Sequence, residues 1–190
     1  MIVVMKRLKI VAAVMFGNEE VGAEFGDPAI EGTSLPLFPS SGSVDLSATG
    51  IAAPEVFGQN FSGGDVSITN DGSAKAIVFL AHWCPHCQAE VPRVQEWLNA
   101  GGGVDGVAMY SVSTANNSGR GNFPPSAWLE GEEWASPVIV DDQENSVLHA
   151  FGSGGFPYWV FLNADGTVAV RTAGELTIAQ LDEIMNGLDK

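Results

Sequence analysis

Apolar positions run almost unbroken from Ala74 to Ala81, with Lys75 the one polar interruption. A run of that length without alternation predicts a central strand covered on both faces. Directly after it the period changes, and Val91, Val94, Trp97 and Leu98 recur at helical spacing. They predict a helix that begins at Cys84, contains Pro92 and ends near Asn99, stopped by Gly101-Gly102-Gly103. Upstream, the stretches 55–61 and 66–69 flank Gly63-Gly64 and predict a β-hairpin. Downstream, strands are expected at 107–113, 137–140, 158–162 and 167–171, the last two joined through the turn pair Asp165-Gly166. Short helices are expected at about 126–130 and 146–151. A closing helix starts at Thr177, where Thr177 and Gln180 match a capping box and Ile178, Leu181, Ile184 or Met185, and Leu188 share one face. Strands alternating with helices, then a hairpin and a last helix, predict an α/β fold. It is a mixed central sheet flanked by helices, with an N-terminal β-hairpin and an insertion (115–134) after the second core strand.

Ahead of this pattern the chain reads differently. Lys6, Arg7 and Lys9 precede the apolar run Ile10-Val11-Ala12-Ala13-Val14-Met15-Phe16, which resembles the charged and hydrophobic regions of an export signal. Residues 1–23 are therefore expected to be a signal or anchor segment, the alternative being a plain N-terminal extension; the run is too short to span a bilayer. Residues 24–50 are rich in Gly, Ser, Pro and Thr without periodicity, and are expected to form a flexible linker ahead of a domain at 51–190. A net charge of −15, from 23 acidic and 8 basic residues, argues against nucleic-acid binding, which needs a basic surface.

Only two cysteines occur, Cys84 and Cys87, three positions apart. Two cysteines within one turn close no loop worth stapling, and a zinc site of four thiolates is excluded by their number. Cys84 ends the predicted strand and opens the predicted helix, where free N–H groups and the helix dipole favour a thiolate. It is expected to be the exposed nucleophile. Cys87 lies one turn further on the same face, placed to resolve a mixed disulfide. Pro85 suits the first helical turn. A copper-handling pair, using Cys84, Cys87 and a histidine such as His82 or His86, is the alternative from another class.

The segment Ala81-His82-Trp83-Cys84-Pro85-His86-Cys87-Gln88-Ala89-Glu90-Val91-Pro92 resembles the active-site segment of the thioredoxin superfamily. More closely it resembles the TlpA/ResA-type reductases that work outside the bacterial cytoplasm. The resemblance covers roughly 52–190, including the hairpin, the insertion and Gly155-Phe156-Pro157 before a strand. It implies a thioredoxin-like fold, a cis-proline at Pro157 facing the cysteines, and a substrate surface at Phe156. It also implies an extracytoplasmic location, protein thiol or disulfide substrates, an upstream thiol electron donor and no organic cofactor, with membrane tethering through the N-terminus open.

Where cytoplasmic thioredoxins carry a buried aspartate six positions before the first cysteine, this chain has Val78. The TlpA/ResA-type proteins often place a glutamate three positions after the second cysteine, and Glu90 stands there. The resemblance implies that Glu90 exchanges a proton with the resolving thiol. Trp83 is expected to shape the rim of the site. His86, between the cysteines, is expected to stabilise the Cys84 thiolate, and Pro85-His86 looks like the dipeptide of DsbA-type oxidants. A more stable thiolate makes a stronger oxidant, over a range from about −270 mV for thioredoxin to about −120 mV for DsbA. The expected activity is reduction of protein disulfides by dithiol–disulfide exchange, with a disulfide-forming oxidant as the alternative. Trp97, Phe123, Trp128 and Trp159 are expected chiefly in the core, and His149 in a structural or exposed place.

Overall fold

The computed structural model describes residues 24–39 and 41–190. The elements in chain order are β1 (Ala29–Glu31), β2 (Val44–Asp45), β3 (Glu55–Gln59), β4 (Asp65–Ile68), β5 (Ala74–Leu80), α1 (Pro85–Asn99) and β6 (Val107–Ser113). They continue as α2 (Pro125–Gly131), β7 (Val138–Val140), α3 (Ser146–Ala150), β8 (Tyr158–Leu162), β9 (Val168–Ala173) and α4 (Ile178–Asn186). A six-stranded sheet runs in the order β2-β9-β8-β5-β6-β7, and β1-β3-β4 form a second, three-stranded sheet. Within the larger sheet β5 and β6, and β6 and β7, pair parallel, whereas β5–β8, β8–β9 and β2–β9 pair antiparallel. The sheet is mixed, as its alternation of elements predicts.

Strand β5 is buried at every position, which is why it reads as a continuous apolar run. Its side chains divide between two cores. Ala76, Val78 and Leu80 pack with Val91 and Val94 of α1 and Leu181 and Met185 of α4. Ile77 and Phe79 point the other way, toward Val56, Ile68, Val147, Phe151, Tyr158 and Val160. Helix α4 is opened by the predicted capping box: the Thr177 hydroxyl accepts from the Gln180 N–H while the Gln180 side chain accepts from the Thr177 N–H. Trp128 and Trp159 are core residues, Phe123 is half-buried, and His149 is exposed with its Nδ1 2.8 Å from Ser153 Oγ.

The segment 24–50 departs from the expectation of a flexible linker. It contributes β1 to the smaller sheet and β2 to the edge of the larger one, and it buries Leu35 and Ala48 in the second core. Its Leu35 and Phe38 N–H groups donate to Ala150 O and Gly152 O. Asp45 meets the buried Arg171 of β9 through Nε (2.9 Å) and Nη2. Composition suggested a tether because the segment lacks periodicity; long-range partners are what order it. The expected signal or anchor at 1–23 lies outside the described residues. Among the described residues no helix is long and apolar enough to cross a membrane.

Candidate active site

Strand β5 ends at Leu80, and Ala81-His82-Trp83 leads to Cys84, the N-cap of α1, with Pro85 at the first helical position. Cys84 has extended backbone angles (φ −78°, ψ 120°) and no side-chain cap, so the first turn of α1 begins at the sulfur-bearing residue itself. Cys87 is fully buried one turn later. Both cysteines are free thiols. Pro157 follows a cis peptide bond, as the resemblance implies, and the Phe156 carbonyl accepts from Cys84 Sγ at 3.8 Å.

Cys84 is 7% exposed, less open than a nucleophile read from sequence. Trp83 and Phe156, edge to face with ring centroids 6.1 Å apart, pack against the core cluster to which it belongs. Trp83 is fixed by its indole N–H, which donates to Ala115 O at 2.8 Å. The Arg120 guanidinium lies over its ring at 4.5 Å. The insertion therefore forms one wall of the site.

His82 anchors that wall. It is fully buried, donates from Nδ1 to Gly121 O (2.7 Å) and accepts at Nε2 from the Asn117 N–H (3.1 Å), which defines a neutral imidazole. Burial holds its pKa down, against the pull of the Gly121 carbonyl. Both ring nitrogens are thus committed to the loop, and among the described residues no three His, Cys, Asp or Glu side chains gather as a metal-ligating group. Among the described residues this geometry offers the copper-handling alternative no third ligand.

Glu90 lies beneath Cys87, 1% exposed. Its Oε1 accepts from Trp159 Nε1 and from the Leu176 N–H, each at 3.1 Å, while Oε2 is buried with no partner. Burial pushes its pKa up to about 7, against the two N–H donors and the Arg93 cation. The Cys87 thiol is pushed far up, first by burial and further by the neighbouring Cys84 and Glu90. A carboxyl group that titrates near neutrality is thus in place beside a thiol that resists ionising alone.

His86 is two-thirds exposed and its Nδ1 meets Glu175 Oε1 at 2.7 Å. The sequence suggested an imidazole serving Cys84; in the structure that imidazole is held by a loop carboxylate. Glu175 went unseen in the sequence because it lies 89 positions away and belongs to no motif. Trp159 as partner of Glu90, and Arg120 over Trp83, were equally invisible, since each pairing joins separate elements.

A dithiol at the start of a helix that follows a buried strand, facing a cis-proline across a sheet of this topology, defines a thioredoxin-class redox site. The sequence profile of the thioredoxin-like domain matches residues 66–188, and the chain belongs to that family. The sporulation thiol-disulfide oxidoreductase A of Bacillus subtilis is 26% identical over 133 residues, covering 70% of this chain and 79% of the relative. Among solved structures, a DsbF homologue from Corynebacterium diphtheriae superposes with a TM-score of 0.64 at 16% identity, covering 83% of this chain and 100% of that one. A secreted Mycobacterium tuberculosis disulfide oxidoreductase homologous to DsbE of E. coli gives a TM-score of 0.58 at 18% identity, covering 70% and 95%.

Proposed function

We propose that this protein is a thiol–disulfide oxidoreductase that reduces protein disulfides, with Cys84 as nucleophile and Cys87 as resolving thiol. The observation that carries the reading is Glu90. A buried carboxyl near pKa 7, with one unpartnered oxygen, lies under a buried thiol one helical turn from the N-cap cysteine. The Cys84 thiolate attacks one sulfur of the substrate disulfide and the other leaves as a thiolate, which takes up a proton. Cys87 then gives its proton to the Glu90 carboxylate and attacks Cys84 Sγ, releasing the second substrate sulfur as a thiolate that takes up a proton from water. Two electrons pass to the substrate, and the enzyme is left with a Cys84–Cys87 disulfide. No organic cofactor takes part. The Phe156 backbone and the Trp83 ring receive the substrate chain beside the cysteine, and Pro157 keeps the loop apart from it.

An upstream thiol donor returns the enzyme to the dithiol. The charged and apolar N-terminal stretch, together with a relative described as secreted, supports work outside the cytoplasm, with membrane tethering through the N-terminus. The opposite direction, disulfide formation, has the exposed His86 in its favour. The equilibrium of Cys84–Cys87 with glutathione and dithiothreitol buffers separates the two. A potential near the thioredoxin end, about −270 mV, is expected; a value near the DsbA end, about −120 mV, makes the protein an oxidant.

A further inference from the structure

His86, Glu90 and Arg93 are spaced four and three apart and share one face of α1. Together they meet two residues of the loop between β9 and α4, Glu175 and Leu176. Glu175 Oε1 takes His86 Nδ1 at 2.7 Å, and Glu175 Oε2 accepts from Arg93 Nη1 at 3.1 Å. Arg93 Nη2 donates to Leu176 O at 3.0 Å, and the Leu176 N–H donates to Glu90 Oε1. One loop carboxylate thereby ties the imidazole between the cysteines to the helix face that holds the buried acid.

An imidazolium beside a thiolate stabilises it, and so stabilises the reduced form. A carboxylate on the same imidazole cancels that charge and adds its own repulsion toward any nearby anion. Glu175 is ionised near neutrality, because His86 and then Arg93 hold its carboxyl below the usual range. Its charge also pushes the Glu90 carboxyl upward.

We propose that Glu175 is a positioning residue that tunes the reduction potential of the Cys84–Cys87 pair, holding His86 and placing its own negative charge beside it so that the potential is lowered. The inference rests on the reductase reading given above. It assigns part of that potential to a residue outside the cysteine motif.

The test is the equilibrium of the full chain with glutathione, in which the reduced enzyme and glutathione disulfide give the enzyme disulfide and two glutathione thiols. Wild type, Glu175→Gln, His86→Ala and the double variant are compared, each with its thermal unfolding recorded. Glu175→Gln is expected to lower the equilibrium constant about threefold, a shift of about 14 mV toward the oxidising side. In the His86→Ala background the same substitution is expected to change it less than about twofold. Glu175→Ala, which also removes the charge, should move the constant in the same direction as Glu175→Gln. A constant that stays level or rises in Glu175→Gln overturns the proposal, as does an equal fall without His86. A wild-type chain that reaches no equilibrium with glutathione overturns the oxidoreductase reading and the proposal together. Wild-type exchange with an unresponsive Glu175→Gln overturns the proposal alone.

Discussion

Two ionisable centres are buried on opposite faces of the six-stranded sheet, and they are completed very differently. On the face toward Phe38, Phe151 and Tyr158, the Arg171 guanidinium bonds Asp45, Pro36 O (2.7 Å) and Phe151 O (3.2 Å). Asp45 in turn accepts from the Ser47 N–H at 2.8 Å. On the α1 face, Glu90 Oε2 and Arg93 Nε are buried without partners, and Glu90 titrates near 7. A buried charge with its hydrogen bonds complete fixes structure, here Pro36 and Asp45 of the N-terminal segment against the sheet. A buried acid left half-satisfied keeps both protonation states within reach, which proton transfer requires.

The comparison breaks first at Arg171. Arg171→Leu leaves Asp45 buried without its cation and should destabilise the fold by about 3 to 5 kcal/mol. Urea unfolding measures that, and disulfide exchange per folded molecule should stay at the wild-type rate. A matching loss of exchange would mean that the structural centre also serves the chemistry.

Glu90→Gln probes the other centre and has two readouts. A folded pKa of about 7 against an ordinary 4.5 means the native state favours the protonated acid. That stabilisation is complete below about pH 4.5 and is lost as pH rises through 7. The stability advantage of Glu90→Gln over wild type should therefore grow from pH 5 to pH 8, toward on the order of 3 kcal/mol. Resolution of the mixed disulfide should slow at least about tenfold at pH 8 and lose its inflection near 7. Stopped-flow exchange across pH measures it, and an unchanged profile removes Glu90 from the proton path.

Arg93→Gln should have the smallest effect. Its exposed-side pair with Glu175 contributes under about 1 kcal/mol, so the unfolding midpoint should barely move. The inflection of the exchange profile should still rise above that of wild type, because the Arg93 cation holds the Glu90 carboxyl down. An inflection that stays level would show that the Arg93 cation does not tune that acid.

What the sequence by itself determined is local. The all-buried β5, the helix opening at Cys84, the Thr177 capping box and the Asp165-Gly166 turn each depend on residues within a few positions, where period and cap chemistry are legible. The Cys84–Cys87 pair was found the same way, whereas the roles of Pro157 and Glu90 came from the resemblance to the thioredoxin superfamily. Tertiary structure alone decided the rest. It tied Asp45 to Arg171, 126 positions away; it turned His86 toward Glu175; and it gave Glu90 its Trp159 partner 69 positions away. Those pairings leave no periodic trace, because a hydrogen bond between distant elements constrains two positions and nothing between them. The burial that raises Glu90 likewise comes from packing α1 against β8 and the loop before α4, which no local pattern encodes.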